Sequence, residues 1–412
     1  MHSQFRAALF VGLLVSVSPS ALAEPVSLDQ AVEKAIAAAP SIKADRAAVE
    51  AAEAGKRQAG VRPNPVLSAD AENFIGTGPI DVFRQAEITV TYSQQIERGD
   101  KRAARVALAD SDMKFAAARS QVSRLDIAAQ VQRAYIDAQI AAAVVSIASF
   151  RLKTESELQT ESLRRVRGYK DPLFVETRAA ARVAQAQIGL EEAETRYANA
   201  LNTLAAFWGA SGDDLEIASG FSEADSAAEK LTLADEAVSE AAIERAQTAV
   251  VVEQSKATQD YTVSGGFRYL RDTDDVAAVA AISIPIGRFD RNTGNIERAQ
   301  AERRQVEFLA EAARLERLRR LASLRADADA ALTRADRIMA EVYPRTVRTL
   351  EQVREGYNRG GFRFSDIEDA ANAIVEVQES WLDAMNRYRD TQTEIDRLTG
   401  RFDVAQAGET NP

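Results

Sequence analysis

An internal repeat constrains the fold of this chain more than any other feature. "SLDQAVEKA" from Ser27 resembles "TLADEAVSEA" from Thr232, and both begin with the spacing of a capping box, Ser27 with Gln30 and Thr232 with Asp235. Each copy continues with two short alternating segments, a very long helical stretch, a glycine-containing break and a second long helix. The sequence therefore predicts two copies of one supersecondary unit.

The ends of the copies indicate the domain organisation. "RYANALNTLAAFWG" and "RYRDTQTEIDRLTG" close them at Gly209 and Gly400. We predict a first repeat over 24–209, a polar linker over 210–231, a second repeat over 232–400 and a polar C-terminal tail over 401–412.

The first 23 residues are typical of a secretory signal peptide. Arg6 precedes an apolar run from Ala7 to Val17, and Ala21-Leu22-Ala23 supplies the small residues of a cleavage site. The apolar run is too short to cross a bilayer as a helix, and no run of 18 apolar residues follows it. We expect an exported protein, with a membrane anchor as the alternative reading of this segment.

Composition excludes several function classes. The chain has no cysteine, and its one histidine, His2, lies in the predicted signal peptide. A zinc or copper site, a histidine-dependent triad and a catalytic thiol are therefore not expected. The net charge of −11 argues against nucleic-acid binding. Carboxylate pairs such as Glu191 and Glu192 are interpreted as solvated helix faces, so no enzyme activity and no cofactor are predicted.

The predicted helices are too long for an ordinary globular domain. Those over Lys101–Arg167 and Asn295–Tyr357 would each extend about 95 Å. In the second, leucines recur every three residues, and Pro344 is expected to bend it. Such lengths favour a coiled coil or a helical tube. The leucines are Leu315, Leu318, Leu321 and Leu324.

Both glycine-containing breaks are predicted to be tips of antiparallel helical hairpins. In "GYKDPLFVE", Asp171 is expected to cap the second helix, with Pro172 at its first position. In "GYNRGGFRFSDIEDA", Gly360 or Gly361 should end one helix. Ser365 should cap the next helix, with Glu368 completing a capping box.

Four alternating segments, 65–74, 86–96, 261–270 and 275–286, predict short strands with one apolar and one polar face. This pattern is typical of outer-membrane barrels, although one such strand alone would suit a half-buried sheet. Four strands cannot close a useful barrel, and open edges cannot exist in lipid. If the strands lie in a membrane, several chains must share one barrel, and three chains would supply twelve strands.

The chain resembles the TolC family of outer-membrane efflux proteins over essentially its whole mature length. Three stretches are similar to the CzcC-like branch, which serves heavy-metal pumps of the resistance-nodulation-division type: "RQAGVRPNPVLSADAENF" (57–74), "QIERGDKRAARVALAD" (95–110) and "VRGYKDPLF" (166–174). The resemblance implies a mainly α homotrimer with a small β part. Its shared twelve-strand barrel in outer-membrane lipid would continue into a long periplasmic α-helical barrel.

The resemblance also implies a function. Such a channel accepts substrate from an inner-membrane pump through a periplasmic adaptor (membrane fusion) protein, and it conducts substrate passively. We expect heavy-metal cations as substrate. A multidrug or solvent channel, a type I secretion channel and a secreted coiled-coil scaffold without a pore remain alternatives, and lipid-compatible strands speak against the last.

Site residues follow from the same resemblance. Asp366 and Asp369 match two family aspartates that constrict the periplasmic end of the tube, and Tyr357 matches a gate tyrosine. Arg363 is a further gate candidate, chosen for its position. Negative charge at a helix N-terminus explains Asp366 and Asp369 equally well. The expected adaptor-docking tips comprise Arg167, Gly168, Asp171, Pro172, Arg359, Gly360, Gly361 and Ser365.

Overall fold

The computed structural model describes residues 25–77, 83–218 and 231–403. The predicted signal peptide, most of the predicted linker and most of the C-terminal tail lie outside these residues. The helices are α1 (Leu28–Ala38), α2 (Pro40–Ala59), α3 (Lys101–Arg167), α4 (Phe174–Ala205), α5 (Leu233–Lys256), α6 (Thr293–Arg337), α7 (Tyr343–Arg359) and α8 (Phe364–Thr399). The strands are β1 (Val66–Glu72), β2 (Glu87–Ile96), β3 (Tyr261–Leu270) and β4 (Asp275–Ser283).

The two long helices form as predicted. α3 has 67 residues and extends about 100 Å. Its counterpart is α6 followed by α7, joined through a π-helical turn over Ile338–Val342. Pro344 lies in the first turn of α7, directly after this turn. A proline inside a helix removes one backbone donor and crowds the preceding carbonyl groups, and the wider π-helical turn accommodates both effects.

The strands form one antiparallel sheet in the order β1-β2-β3-β4. Ser68 lies opposite Thr91 in β2, and Val90 lies opposite Phe267 in β3. The predicted boundaries hold to within a few residues, except that β4 ends at Ser283 and not at residue 286. Pro285 explains the early end, because proline has no N–H to donate to a ladder.

The faces of the sheet differ sharply. One face exposes large apolar side chains: Ile88, Val90, Tyr92, Val263, Phe267, Tyr269, Val276 and Ile282. The other carries polar groups, and there the Arg268 guanidinium donates to Glu87 at 2.9 Å and to Thr89 at 3.0 Å. β1 and β4 are the outer strands of the sheet. Among the described residues, each of them therefore has one edge whose backbone groups pair with no other strand.

Capping explains where both repeats begin. Ser27 and Gln30 form the predicted capping box, with both hydrogen bonds present. Thr232 accepts from the N–H of Ala234 as predicted. Asp235 does not complete a box, because its carboxylate accepts from Arg397 on α8 at 2.9 Å.

Packing of the helices leaves α3 and α6 in different environments. α3 lies against α2, α4, α5 and α8, whereas α6 lies against α5 and α8. One stretch of α3 is also long and apolar enough, by length and composition, to cross a membrane, yet only 17% of it is buried in the chain. A compact core joins α1, α3 and α4 near the end of the first repeat, and a second core lies under the hairpin tips.

Candidate functional site at the hairpin tips

The first tip joins α3 to α4. α3 ends at Arg167, and Gly168 and Tyr169 make the turn, Tyr169 in a left-handed conformation with φ of 56°. The predicted cap is wrong, because α4 begins at Phe174 and the Asp171 side chain makes no bond to its first turn. Pro172 precedes the helix rather than occupying its first position. The Asp171 carboxylate instead forms an ion pair with a residue on the other side of the turn.

That partner is Arg165. Its Nε donates to Asp171 Oδ2 at 2.8 Å and its Nη2 to Oδ1 at 2.9 Å, a two-pronged ion pair across the turn. Tyr357, on α7, donates its hydroxyl proton to the same Asp171 Oδ2 at 2.6 Å. The Arg165 guanidinium lies 4.2 Å from the centre of the Tyr357 ring and also donates to the Tyr357 carbonyl oxygen. We call Arg165, Asp171 and Tyr357 the tip bridge.

Electrostatics favours the charged aspartate and the neutral tyrosine in the tip bridge. The hydrogen bonds from Arg165, helped by that from Tyr357, hold the pKa of Asp171 below its usual range. Burial, together with the hydrogen bond to Asp171, raises the pKa of Tyr357 well above its usual range. Tyr357 is 1% exposed, so solvent competes little for these bonds. The bridge therefore keeps one protonation state over the neutral range.

The second tip joins α7 to α8. Gly360 ends α7 in a left-handed conformation with φ of 88°, so the predicted glycine stop is confirmed at this residue. Gly356 has a separate role, because a Cβ there would lie 2.2 Å from the Phe362 ring. The ring of Phe362 therefore folds back onto the last turn of α7, and only glycine leaves it room.

The predicted cap of α8 is also wrong. Ser365 lies inside the first turn, and Arg363 occupies the capping position. The N–H of Arg363 donates to Asp366 Oδ2 at 2.7 Å, so Asp366 supplies the side-chain half of the cap. In a capping box, the side chain that accepts from the N-cap N–H lies three residues after the N-cap residue. Asp366 lies three residues after Arg363 and so meets that spacing.

Glu368, predicted to complete that cap, has a different role. It is 1% exposed and contacts two arginines of α4, Arg178 at 2.5 Å and Arg182 at 3.3 Å. A buried carboxylate needs such charged partners, because an isolated one would be costly to desolvate. Glu368 therefore ties the second hairpin to the first, just below the tips.

More ion pairs join α3 and α7 along their last turns. Arg354 donates to Glu161 at 3.0 Å and to Glu157 at 3.1 Å. Arg164 donates to the side-chain oxygen of Asn358 at 2.9 Å. The two hairpins are thus held together over several turns by charged groups.

The predicted gate residues are only partly brought together. Tyr357 is buried in the tip bridge, whereas Asp366 is half-buried and Asp369 is exposed on the same side of α8. The Arg363 side chain is exposed and makes no ion pair within the described ranges. Sequence reasoning did not find Arg165, Arg354 or the role of Glu368. In the sequence these residues differ in no way from the many other arginines and glutamates of the chain, so no sequence pattern identifies them.

The outer surface of the tips is apolar as well as charged. Tyr169 is 97% exposed, Leu173 and Phe174 are exposed on the same hairpin, and Phe362 is exposed on the other. The predicted docking residues Arg167, Gly168, Pro172, Arg359, Gly360 and Gly361 are exposed too, whereas Asp171 and Ser365 are half-buried. Apolar side chains so far out of the core are typical of surfaces that contact another protein.

Sequence comparison decides the family. The model of the outer membrane efflux protein family matches residues 31–210. The cobalt-zinc-cadmium resistance protein CzcC of Cupriavidus metallidurans is 30% identical over 400 residues, which cover 94% of this chain and 93% of CzcC. This chain belongs to the outer membrane efflux protein family. The nickel-cobalt-cadmium resistance protein NccC of Alcaligenes xylosoxydans xylosoxydans is 26% identical over 292 residues, covering 70% of this chain and 67% of NccC.

Solved structures show the same fold for this outer membrane efflux protein. A structure of CusC superimposes with a TM-score of 0.76 at 13% identity, covering 90% of this chain and 91% of that one. The outer membrane protein VceC of Vibrio cholerae has a TM-score of 0.74 at 20% identity, covering 90% and 96%. The predicted TolC-like fold and the predicted branch resemblance are confirmed.

Proposed function

We propose that this protein is the outer-membrane channel of a tripartite efflux pump, through which heavy-metal cations leave the periplasm passively. The observation that carries the proposal is the end-to-end similarity to a cobalt-zinc-cadmium resistance protein. A second relative is named for nickel, cobalt and cadmium. Divalent cations of the first transition series and cadmium are therefore the proposed substrate class.

The proposed assembly is a homotrimer, and the repeat supports it. β2 has partners on both sides, whereas its counterpart β4 has a partner on one side. In the same way α3 has a neighbour in α2, whereas its counterpart α6 packs mainly against α5 and α8 in the part of the chain that the structure describes. A second copy that places its β1 beside β4 and its α2 beside α6 supplies both. Three copies so arranged close twelve strands with no edge left in lipid.

The sheet suits that environment. Its exposed apolar face would contact lipid, and its polar face would line an aqueous lumen. The long helices would then extend about 100 Å into the periplasm. We place the tips at the far end, where the periplasmic adaptor and the inner-membrane pump of the resistance-nodulation-division type deliver substrate. The exposed Tyr169, Leu173 and Phe174 are suited to an adaptor.

Charge supports a cation as cargo. In a trimer, Asp366 and Asp369 on the first turns of three α8 helices would place six carboxylates around one axis. Such a ring attracts cations and repels anions. The chain as a whole is also acidic, with a net charge of −11 that includes these aspartates. Passage would then depend on charge, while the driving force comes from the pump.

Cysteine cross-linking tests the assembly. The chain lacks cysteine, so any introduced pair is unique. Pairs that place one cysteine in β1 and one in β4 should give covalent trimers on oxidation, because the two free edges meet between copies. The single-cysteine variants are the controls and should give at most dimers. Absence of trimers from every register of such pairs, with the β signal of the protein intact, would contradict the shared barrel.

Complementation tests the substrate. A host with the matching adaptor and pump but without its channel should regain resistance to cobalt, zinc and cadmium when this protein is expressed. Resistance to dyes and detergents without metal resistance would favour the multidrug alternative. Restored export of a polypeptide toxin would favour the type I secretion alternative. No pore in planar bilayers would leave the scaffold reading.

A further inference from the structure

The outward apolar columns of the sheet end in arginine where the strands lead into helices. On β2 the column Ile88, Val90, Tyr92, Gln94, Ile96 continues in steps of two to Arg98. On β4 the outward column from Val276 to Ile282 ends with the strand at Ser283, and the exposed Ile284, Ile286 and Arg288 follow at the same spacing in the connection to α6. Both ends lie on one rim of the sheet, because Ile96 pairs with Tyr261 and Ser283 pairs with Thr262.

The contacts of Arg98 agree with this placement. Its guanidinium lies 5.9 Å from the centre of the Tyr261 ring, which belongs to the same outward face as Ile96. Arg288 lies 5.6 Å from the centre of the Phe289 ring. Each arginine at the rim therefore accompanies an aromatic ring, as interfacial residues of membrane proteins commonly do.

Two more arginines extend the rim. Arg62, just before β1, lines with Arg98 an open groove of about 1060 Å³ between the end of α2 and the start of α3. Arg291 lies three residues after Arg288 and directly before Asn292, the residue that precedes α6. We call Arg62, Arg98, Arg288 and Arg291 the rim arginines.

The rim arginines have no acidic partner within residues 25–77, 83–218 and 231–403, and all four are exposed. Their cationic neighbours differ, because Lys101 is paired with Asp260 at 2.8 Å and Arg105 is paired with Glu97. In a chain with 62 acidic residues and 51 basic ones, four exposed arginines without an acidic partner on one rim are free to bind an anionic group from outside the chain.

The nearest apolar residues point to that source. Ile286 is 88% exposed and Phe289 is 93% exposed, and both lie beside Arg288. A surface that is apolar on one side and cationic on the other matches the boundary between acyl chains and phosphate headgroups. A guanidinium can bind a phosphate through two parallel hydrogen bonds.

We infer that the rim arginines bind the phosphate headgroups of anionic phospholipids in the leaflet that faces the periplasm. The inference rests on the proposed barrel, and it adds a lipid-binding site to it. The bound headgroups would neutralise the rim and fix the height of the barrel in the membrane. The exposed Ile286 and Phe289 would contact the upper part of the acyl chains.

The test uses the purified full chain in mixed micelles that contain phosphatidylglycerol or phosphatidylcholine. Native mass spectrometry counts bound lipids, and a thermal scan measures the temperature at which the assembly dissociates. The wild type should retain phosphatidylglycerol preferentially and gain thermal stability from it. The variant Arg98→Gln/Arg288→Gln/Arg291→Gln should lose the preference, with about a fivefold loss of affinity for each arginine removed.

Control variants distinguish an effect of the rim arginines from a general effect of removing positive charge. The matched variant Arg304→Gln/Arg314→Gln/Arg345→Gln removes the same charge from exposed positions of α6 and α7, and it should keep the preference. Arginine-to-lysine replacement of the same three rim residues should keep it in part, because lysine retains the charge but not the planar fork. Should the glutamine variant not assemble, the single variants Arg98→Gln and Arg288→Gln are compared in its place.

Three results would overturn the inference. The first is equal retention of both lipids by the wild type, and the second is an unchanged preference in the rim variant. The third is full displacement of the lipid by inorganic phosphate, which would show a phosphate site without lipid selectivity. Trimer mass and pore conductance, measured on the same samples, report on the proposed channel separately.

Discussion

The Tyr357 hydroxyl donates to the Asp171 carboxylate at 2.6 Å, across 186 residues of sequence and between the two hairpins of one chain. Arg165 holds the same carboxylate from the other side. Because all three side chains are largely buried, opening the tips would expose an ion pair and a tyrosine at once. The tip bridge is therefore a candidate lock on the periplasmic end of the channel.

Removing the tyrosine hydroxyl should loosen that lock. A hydrogen bond to a charged group contributes about 1.5–3 kcal/mol, so Tyr357→Phe should favour the open tips by a comparable amount. We expect larger single-channel conductance in planar bilayers and unchanged trimer stability. Tyr343→Phe, at the other end of α7, is the matched control. Equal conductance in both variants would show that the tip bridge is structural only.

The lock should be insensitive to pH near neutrality. The pKa of Asp171 is lowered in the folded protein, so its contribution is complete above about 4, the ordinary value for aspartate, and is lost as pH falls through the lowered value. The pKa of Tyr357 is raised, so its contribution is complete below about 10 and is lost as pH rises further. Conductance that is constant from pH 5 to 9 is expected, and a step inside that range would contradict this protonation scheme.

Neutralising the two tip aspartates should weaken cation selectivity. In Asp366→Asn/Asp369→Asn the asparagine at 366 can still accept from the N–H of Arg363, so α8 should keep its start. The reversal potential in a salt gradient and block by multivalent cations are the measurements. Asp29→Asn is the control, because it also removes an acidic residue from a first helical turn but lies in α1. If both measurements stay at wild-type values, the aspartates serve helix capping alone.

Bulky residues at the tips should abolish resistance. Gly168→Trp and Gly361→Trp change exposed turn positions. A Cβ added at either position would lie 3.4 or 3.6 Å from the nearest atom, a backbone oxygen, so folding should tolerate both changes. An adaptor that contacts the tips would be displaced. The readouts are metal resistance in cells and the amount of trimer in the outer membrane. Glu191→Trp is the control, because residue 191 lies about 25 Å along α4 from the start of that helix at the tip. Full metal resistance in both tip variants would show that the adaptor does not dock at the tips.

Loss of the buried carboxylate should cost stability. Glu368→Gln leaves Arg178 and Arg182 without their partner, and breaking a buried ion pair typically costs about 3–5 kcal/mol. Partial exposure of the two arginines should keep the effect near the lower limit. Denaturant unfolding followed by helical circular dichroism measures it. Glu379→Gln, also on α8, should change little, and an equal loss in that control would refute a specific role for Glu368.

Much of the architecture was predictable from the sequence, because it depends on local patterns. The bounds of α3 and the start of β3 agree with the helical and alternating periodicities, and Ser27 with Gln30 caps α1 as predicted. Repetition of those patterns indicated an assembly before any contact was known. Such features are determined within a few neighbouring residues, where propensity and spacing are sufficient.

The roles of polar residues at the tips were not predictable in that way. Asp171, Ser365 and Glu368 all have the spacing of helix caps, yet the structure uses Asp171 and Glu368 for ion pairs and gives the α8 cap to Asp366. A carboxylate binds whichever donor is close and desolvated, and for Asp171 one such donor is a tyrosine of the other hairpin. The sequence alone thus determined the repeat, the helix lengths and the strands. Packing of the two hairpins decided which charged groups meet, because those partners come together only after the chain has folded.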